Sequence, residues 1–364
     1  MTRRKTAVYA LTVRGLTLGQ KITAGFSDSY YLKPDLFGPR RLLKNNEFRP
    51  FDGLGQCLAE NFAHYDGHVI IGAVGLTVRL IAPLLKSKIT DPAVVGLGQD
   101  GRFAVSLLSG HLGGANELAK KTASLACGQA VITTATDLSG KPALEVLARD
   151  NGFKVEHWAS LAPVASALTE DEEVPVFDPF NLFKPLLSRW PENFTDLNCP
   201  ERGRAGPGLW VDYRTSPDCP ETFLVLRPLG LTVGLGCHRD TDIREVAELF
   251  DRTFEEFSLA PGSVRVLATV DRRAEEKALL DLAEKLDVPL ISYTPQELSP
   301  VPAPNPSETV KKNIGVASVC EAAAILAART GRLLVPKQKS LKATCAVALT
   351  DWKSSAWAQA APKA

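Results

Sequence analysis

"RFAVSLLSGHLGGANELAKKTASLACG", Arg102–Gly128, is the stretch on which the fold turns. Its first seven residues, RFAVSLL, read as a strand. "ELAKKTASLACG" gathers its apolar residues on one side and stops at Gly128, the pattern of an amphipathic helix. A strand that passes through a short glycine turn into a helix is the repeating unit of an α/β sheet. The turn holds Ser109, His111, Gly113, Gly114 and Asn116. Glycines let the chain turn sharply and let a ligand approach the main chain. The helix start presents unpaired amides and a positive dipole end, which suits a carboxylate or a developing oxyanion. His111 could act there as a general acid or base. Ser109 offers a neutral hydrogen bond, Asn116 either that or a helix cap, and Glu117 a base or a dipole partner. Spacing alone supports a capped turn and a ligand loop equally.

The same alternation extends outward on both sides. TAVYALT, SYYLK, HVIIGAVG, PAVVGLG and AVITTAT read as strands. GLTLGQKITAGF, DGLGQCLAENFAHY and LTVRLIAPLL read as helices. Asp100-Gly101 joins PAVVGLG to RFAVSLL as a hairpin, one antiparallel excursion. After Leu231 the pattern resumes with LTVGLG, TDIREVAELFDRTFEEF, SVRVLAT, AEEKALLDLAEKL, VPLISYT, SVCEAAAILAAR and two closing strands. Between them lies a proline-rich stretch with the acidic run TEDEEVP. The expected fold is therefore α/β, with N- and C-terminal domains built on mixed, mostly parallel sheets and a small loop-rich middle domain of unassigned fold. Expected boundaries are 1–143, 144–229 and 230–351, with a tail at 352–364.

Composition narrows the function. The 364 residues carry 42 Lys plus Arg against 41 Asp plus Glu, a net charge of +1, so no basic stripe for nucleic acid is expected. Seven cysteines without a C-x-x-C pair fit a reducing, cytoplasmic setting, with most thiols acting as small core residues. No apolar run reaches the length of a membrane span. G-x-S-x-G is absent, which removes the nucleophile elbow of the α/β-hydrolases and makes Ser109 a poor triad serine.

Further candidate residues sit at other strand ends. VGLGCHRDTD offers Gly236, His238 and Arg239 at a second strand-to-helix turn, with arginine where the dinucleotide fingerprint needs glycine. Asp271 and Arg273 follow SVRVLAT, at the edge where open α/β sheets bind ligands. Lys337 and Lys339 in VPKQKS read first as protective edge lysines. Arg79, Lys88 and Asp91 lie near the ends of the first sheet.

Three stretches of the N-terminal part, VRLIAPLLKSKITDPAVV, LLSGHLGGANELA and VITTATD, resemble the N-terminal domain of the cobalt-precorrin-5A hydrolase family. GLGCHRDT, LATVDRRAEEKALLDLAEKLDVPL, NPSETVKKNIGVASVCEAAAIL and LLVPKQKS resemble its C-terminal domain. The match covers most of the chain outside the middle, in the family's order; Arg273 stands where the family often has lysine. The resemblance implies opening of a ring-A δ-lactone by water and loss of acetaldehyde, in the cobalt-early route to cobalamin. The N-terminal domain would carry the hydrolysis. His111 or Glu117 would be the base, with the amides of Gly113 and Gly114 steadying the oxyanion; axial contact of His111 with cobalt is the other reading. The C-terminal domain would bind tetrapyrrole.

Arg79, Ser109, Asn116, Gly236, His238, Arg239, Asp271, Arg273, Lys337 and Lys339 would serve the substrate. No protein-bound metal or cofactor is expected, because the cobalt travels with the corrinoid substrate. A homodimer and transient contact with other corrin-pathway enzymes are further expectations. The competing readings are a non-catalytic corrinoid carrier and a generic nucleotide-binding α/β protein.

Overall fold

The computed structural model describes residues 4–26, 31–43, 47–87, 89–199, 205–306, 318–329 and 332–350. Lys88, the tail expected at 352–364 and residues 307–317 of the motif after Asn305 lie outside the described residues. The chain divides into two compact units, Met1–Val146 and Leu147–Ala364.

The first unit runs β1 (Thr6–Ala10), α1 (Val13–Gly25), β2 (Asp35–Pro39), β3 (Arg49–Phe51), α2 (Leu54–Asn61), β4 (Gly67–Ile71), α3 (Val74–Ile81), β5 (Ala93–Leu97), β6 (Phe103–Leu108), α4 (Ala115–Ala126), β7 (Gln129–Val131) and α5 (Ala135–Ser139). α6 (Leu144–Asp150) spans the boundary between the units. The sheet order is β3-β2-β1-β4-β5-β6-β7. Every residue of β1, β4 and β5 is buried. That is why these strands read as unbroken apolar runs: helices cover both faces of a parallel sheet. One face packs Val8, Ile22, Val69 and Leu118 together, and the other Tyr9, Phe37, Leu58 and Ile81. Thr12 caps α1 by accepting the Gly15 amide, so the helix starts two residues earlier than its glycine suggests.

All neighbours pair in parallel except β5 and β6, which form the expected hairpin. The reversal sets where the loops fall. Val94, near the start of β5, pairs with Leu108, the last residue of β6. The turns after β6 and β7 therefore lie on the sheet edge where β1, β4 and β5 begin. Gly96, Gly98 and Gly101 spell the dinucleotide glycine pattern, but they lie in this hairpin and lead into no helix.

Two expected strands differ. Tyr31 makes only an isolated bridge to Arg4, and the strand lies at Asp35–Pro39, masked in sequence by Gly38 and Pro39. Gly38 is required because a Cβ there would lie 2.7 Å from Leu16 Cδ2. In AVITTAT only Gln129–Val131 is strand, and α5 starts at Ala135.

The second unit contains two sheets. Its first part is β8 (Phe153–Glu156), α7 (Leu161–Thr169), β9 (Val174–Phe177), β10 (Phe194–Asp196), β11 (Gly208–Val211) and β12 (Phe223–Pro228), in sheet order β10-β9-β11-β12-β8. The stretch read as loop-rich thus holds a five-stranded sheet, parallel apart from the β12–β8 pair. The rest is β13 (Leu231–Cys237), α8 (Ile243–Glu256), β14 (Val264–Val270), α9 (Lys277–Leu286), β15 (Leu290–Tyr293), α10 (Pro295–Leu298), α11 (Val319–Ala328), β16 (Arg332–Lys339) and β17 (Ala343–Leu349), in sheet order β15-β14-β13-β17-β16. β13, β14 and β15 are parallel, and β16 and β17 close the sheet as an antiparallel hairpin. The fold class is α/β with mixed, mostly parallel sheets. Among the described residues no helix is long and apolar enough to cross a membrane.

Candidate active site

The turn between β6 and α4 folds back on itself. Ser109 and Gly114 adopt left-handed backbone, with φ of 57° and 84°. The Gly114 amide donates to His111 O at 2.9 Å, and those of Ala115 and Asn116 donate to Ser109 O and Gly110 O at 3.0 Å each. The Arg4 guanidinium, arriving from the start of β1, donates to the carbonyls of Gly113 and Leu112. A Cβ on Gly113 would lie 2.3 Å from Ser109 Cβ, so this glycine is needed for the coil to close. Ser109 Oγ donates to Asp91 O at 2.8 Å, and the Asp91 carboxylate collects the amides of Lys86 and Ser87.

This geometry redistributes the expected roles. Gly114 N–H is already bonded, while Gly113 N–H has no partner among the described residues. Asn116 neither caps α4, whose N-cap is Gly114, nor faces solvent. Ser106 Oγ donates to its Oδ1 at 2.7 Å, and its Nδ2 donates to Thr134 Oγ1 at 3.0 Å. It ties β6, α4 and the turn after β7 together. Glu117 falls on the solvent side of α4, 66% exposed, and pairs with Lys120 at 2.7 Å. There its carboxylate is paired with a lysine at the surface and makes no recorded contact with His111. Arg79 is exposed in the last turn of α3, and Ser109 is committed to the Asp91 carbonyl.

His111 is held from both sides. Its Nδ1 lies 3.0 Å from Glu145 Oε1, and its Nε2 lies 3.0 Å from Thr136 Oγ1. Thr136 stands in α5 just beyond β7, and Glu145 is in the first turn of α6. Both are buried, at 7% and 8% exposure, and the His111 side chain is 21% exposed. A carboxylate can only accept, so Nδ1 carries the proton and Nε2 presents its lone pair to the threonine hydroxyl. Sequence reasoning passed over Thr136 and Glu145. The available signal was that TATDLSGKPALE follows a strand end, where polar side chains converge.

A second constellation lies at the edge formed by the C-terminal ends of β13 and β14 and the β16–β17 tip. His238 N–H donates to Lys342 O at 2.9 Å, and Thr241 Oγ1 donates back to His238 O at 2.8 Å. Glu276 joins two loops: it pairs with Arg273 at 2.7 Å and accepts the Asp240 amide at 3.3 Å. His238, Arg239, Asp271 and Lys339 are exposed at this edge. A Cβ on Gly236 would lie 2.8 Å from Thr344 Oγ1.

Glu321 anchors the Lys337 corner. It is fully buried and accepts Asn305 N at 3.0 Å, Asn305 Nδ2 at 2.8 Å and Lys337 N at 3.0 Å. Burial pushes its carboxyl up, but these bonds outweigh it and hold it below the usual glutamate value. Lys337 Nζ donates to the Asn305 carbonyl, so its ammonium is engaged. His111 and the glycines thus lie in one unit, and the candidate residues from Gly236 to Lys339 in the other, with Lys337 at a corner of its own.

These two constellations sit on domains of recognisable kind. Family models match the chain in order: Cobalamin synthesis G N-terminal over residues 56–137, Cobalamin biosynthesis central region over 142–228 and Cobalamin synthesis G C-terminus over 231–348. The chain belongs to the cobalamin synthesis G family. A Priestia megaterium protein named cobalt-precorrin-5A hydrolase is 31% identical over 359 residues, covering 95% of each chain. A Salmonella typhimurium protein of the same name is 31% identical over 90% of this chain and 93% of its own. Protein CobE of Sinorhizobium is 40% identical over 122 residues, 33% of this chain and 79% of that protein. A solved cobalamin biosynthesis protein G homologue from Sulfolobus solfataricus covers 96% of this chain and 98% of its own at 19% identity, with a TM-score of 0.36.

Proposed function

We propose that this chain hydrolyses cobalt-precorrin-5A, opening the ring-A δ-lactone and releasing acetaldehyde to leave cobalt-precorrin-5B. The observation that carries the reading is His111, oriented by a buried carboxylate and presenting its other nitrogen to a hydroxyl. That is general-base geometry. Support comes from the two relatives named as hydrolases of this compound, each matched along nine-tenths or more of its length.

His111 takes the proton from the attacking oxygen. Gly113 N–H steadies the charge on the lactone carbonyl oxygen. Once the ring oxygen is released as an alkoxide, the adjoining carbon–carbon bond breaks. Acetaldehyde departs and the bonding electrons pass into the conjugated macrocycle. The cobalt enters with the substrate, and the reaction needs no further cofactor. In the second unit, the exposed Arg239 and Lys339 are cations of the kind that suits the carboxylate arms of a corrinoid.

The experiment is acetaldehyde release from purified cobalt-precorrin-5A. The wild-type chain is expected to release one equivalent, and His111→Ala to slow this by about 10³-fold. Tight corrinoid binding with no acetaldehyde would replace the hydrolase reading with a carrier.

A further inference from the structure

We propose that Thr136 is the attacking hydroxyl, so that Glu145, His111 and Thr136 form a carboxylate–imidazole–hydroxyl triad and the lactone is opened through an ester on Thr136. The inference rests on reading this loop as the hydrolytic site. It departs from attack by water at His111, and it rests on residues absent from the sequence reasoning.

Three observations carry it. Both ring nitrogens of His111 are engaged, Nδ1 by Glu145 and Nε2 by Thr136, each at 3.0 Å. A water or a cobalt ion reaching Nε2 would first have to displace the Thr136 hydroxyl. The proton His111 is placed to accept is therefore the one on Thr136, the arrangement that activates a hydroxyl nucleophile. Second, Thr136 does not spend its hydroxyl on the helix. The N-cap of α5 is Thr134, whose oxygen takes the Asn116 amide, while Thr136 Oγ1 turns to the imidazole. Third, Glu145 and Thr136 are buried but the His111 side chain stays one-fifth exposed. The carboxylate and the hydroxyl are shielded from solvent while part of the imidazole surface stays accessible.

The chemistry balances without a co-reactant. Thr136 Oγ bonds to the lactone carbonyl carbon and its proton moves to His111 Nε2. The tetrahedral intermediate collapses, the bond from that carbon to the ring oxygen breaks, and the ring oxygen receives the proton. An ester on Thr136 remains. Water then adds to this ester, again giving its proton to His111. The Thr136 oxygen leaves and is reprotonated, and the free carboxylic acid is released. Lactone plus water gives hydroxy acid, with no oxidation or reduction; acetaldehyde loss follows from the freed hydroxyl.

The test uses the full-length chain with cobalt-precorrin-5A and, separately, a fluorophosphonate reagent that forms an O–P bond and expels fluoride at activated hydroxyls. Expected results are an acid-stable mass adduct on the peptide carrying Thr136 after rapid quench and fluorophosphonate labelling of that peptide. Thr136→Val, which keeps the shape and loses only the oxygen, should lower kcat by about 10³-fold or more, and Thr136→Ser should restore turnover to within about tenfold. Wild-type acetaldehyde release with neither adduct nor label, or undiminished turnover in folded Thr136→Val, overturns the triad and leaves the function intact. Labelling of Thr136 without acetaldehyde release leaves the triad standing and overturns the substrate. If Thr136→Val does not fold, the Thr136→Ser rate and the wild-type adduct decide.

Discussion

His68 shows how one buried side chain sets a pH limit. It is fully enclosed in β4, with Phe62 stacked at 5.3 Å and Tyr9 at 5.8 Å. Its Nε2 lies 3.2 Å from the Phe62 carbonyl and its Nδ1 3.2 Å from the Tyr9 hydroxyl, so Nε2 donates and Nδ1 accepts. Burial lowers its pKa to about 4 despite the Phe62 bond. In the unfolded chain it would titrate near 6.5. The unfolded state therefore binds more protons between these values, and stability falls as pH drops through that window. The expected loss is about 3 kcal/mol between pH 6.5 and 4, read as a falling urea midpoint. In His68→Phe that slope should be missing; a slope that persists there would assign it to other groups.

At the scale of elements, α11 packs tightly on β13 at Gly234. A Cβ on Gly234 would lie 1.8 Å from Cys320 O and 2.8 Å from Ala324 N, both backbone atoms. Thr232 Oγ1 also donates to Ala324 O at 2.8 Å, so a shift of the helix would stretch this bond. Gly234→Ala should cost about 3 kcal/mol or more, measured by thermal or urea unfolding. A loss under about 1 kcal/mol would mean that α11 can shift.

These elements also show what a sequence makes legible. β1, β4, β13 and α8 follow from unbroken or periodic apolar runs, and the Asp100-Gly101 hairpin from its turn residues. The middle sheet escaped because β9, β10 and β11 have only four, three and four residues between proline-rich connections. Its strands pair with partners far along the chain, which local periodicity does not carry. The site divides the same way. His111 and its glycines announce themselves in one turn, whereas Thr136 and Glu145 reach it from 25 and 34 residues away. Glu117 stood out because it shares the turn's own stretch, whereas Glu145 meets His111 only in the folded chain.

On the scale of the molecule, the two sheets of the second unit are joined by backbone bonds beside a charged cluster of the middle sheet. Tyr213 O accepts the Ala260 amide at 2.9 Å, and Ser258 O accepts the Thr215 amide at 2.9 Å. Arg227, buried in β12, donates to Glu156 at 2.8 Å and to the carbonyls of Asp212 and Arg214 at 2.9 and 2.6 Å. Gly262 leaves room for this cluster, since a Cβ there would meet Glu156 Oε1 at 2.0 Å. Arg227→Ala strands these acceptors and should lower stability by about 3 kcal/mol. Chemical denaturation should show this as a lowered midpoint; a shift of less than about 1 kcal/mol would show that the stranded acceptors find other partners.

The order of the last sheet matters while the protein is being made. β13 pairs along its whole length with β17, joining Leu231 to Leu349 and Cys237 to Ala343. The ribosome therefore has to deliver more than a hundred further residues before β13 gains its second neighbour. At ~5–20 residues per second, that apolar strand waits several seconds with an open edge. The C-terminal domain cannot close during early synthesis, and a nascent chain stalled before β17 would be a substrate for chaperones.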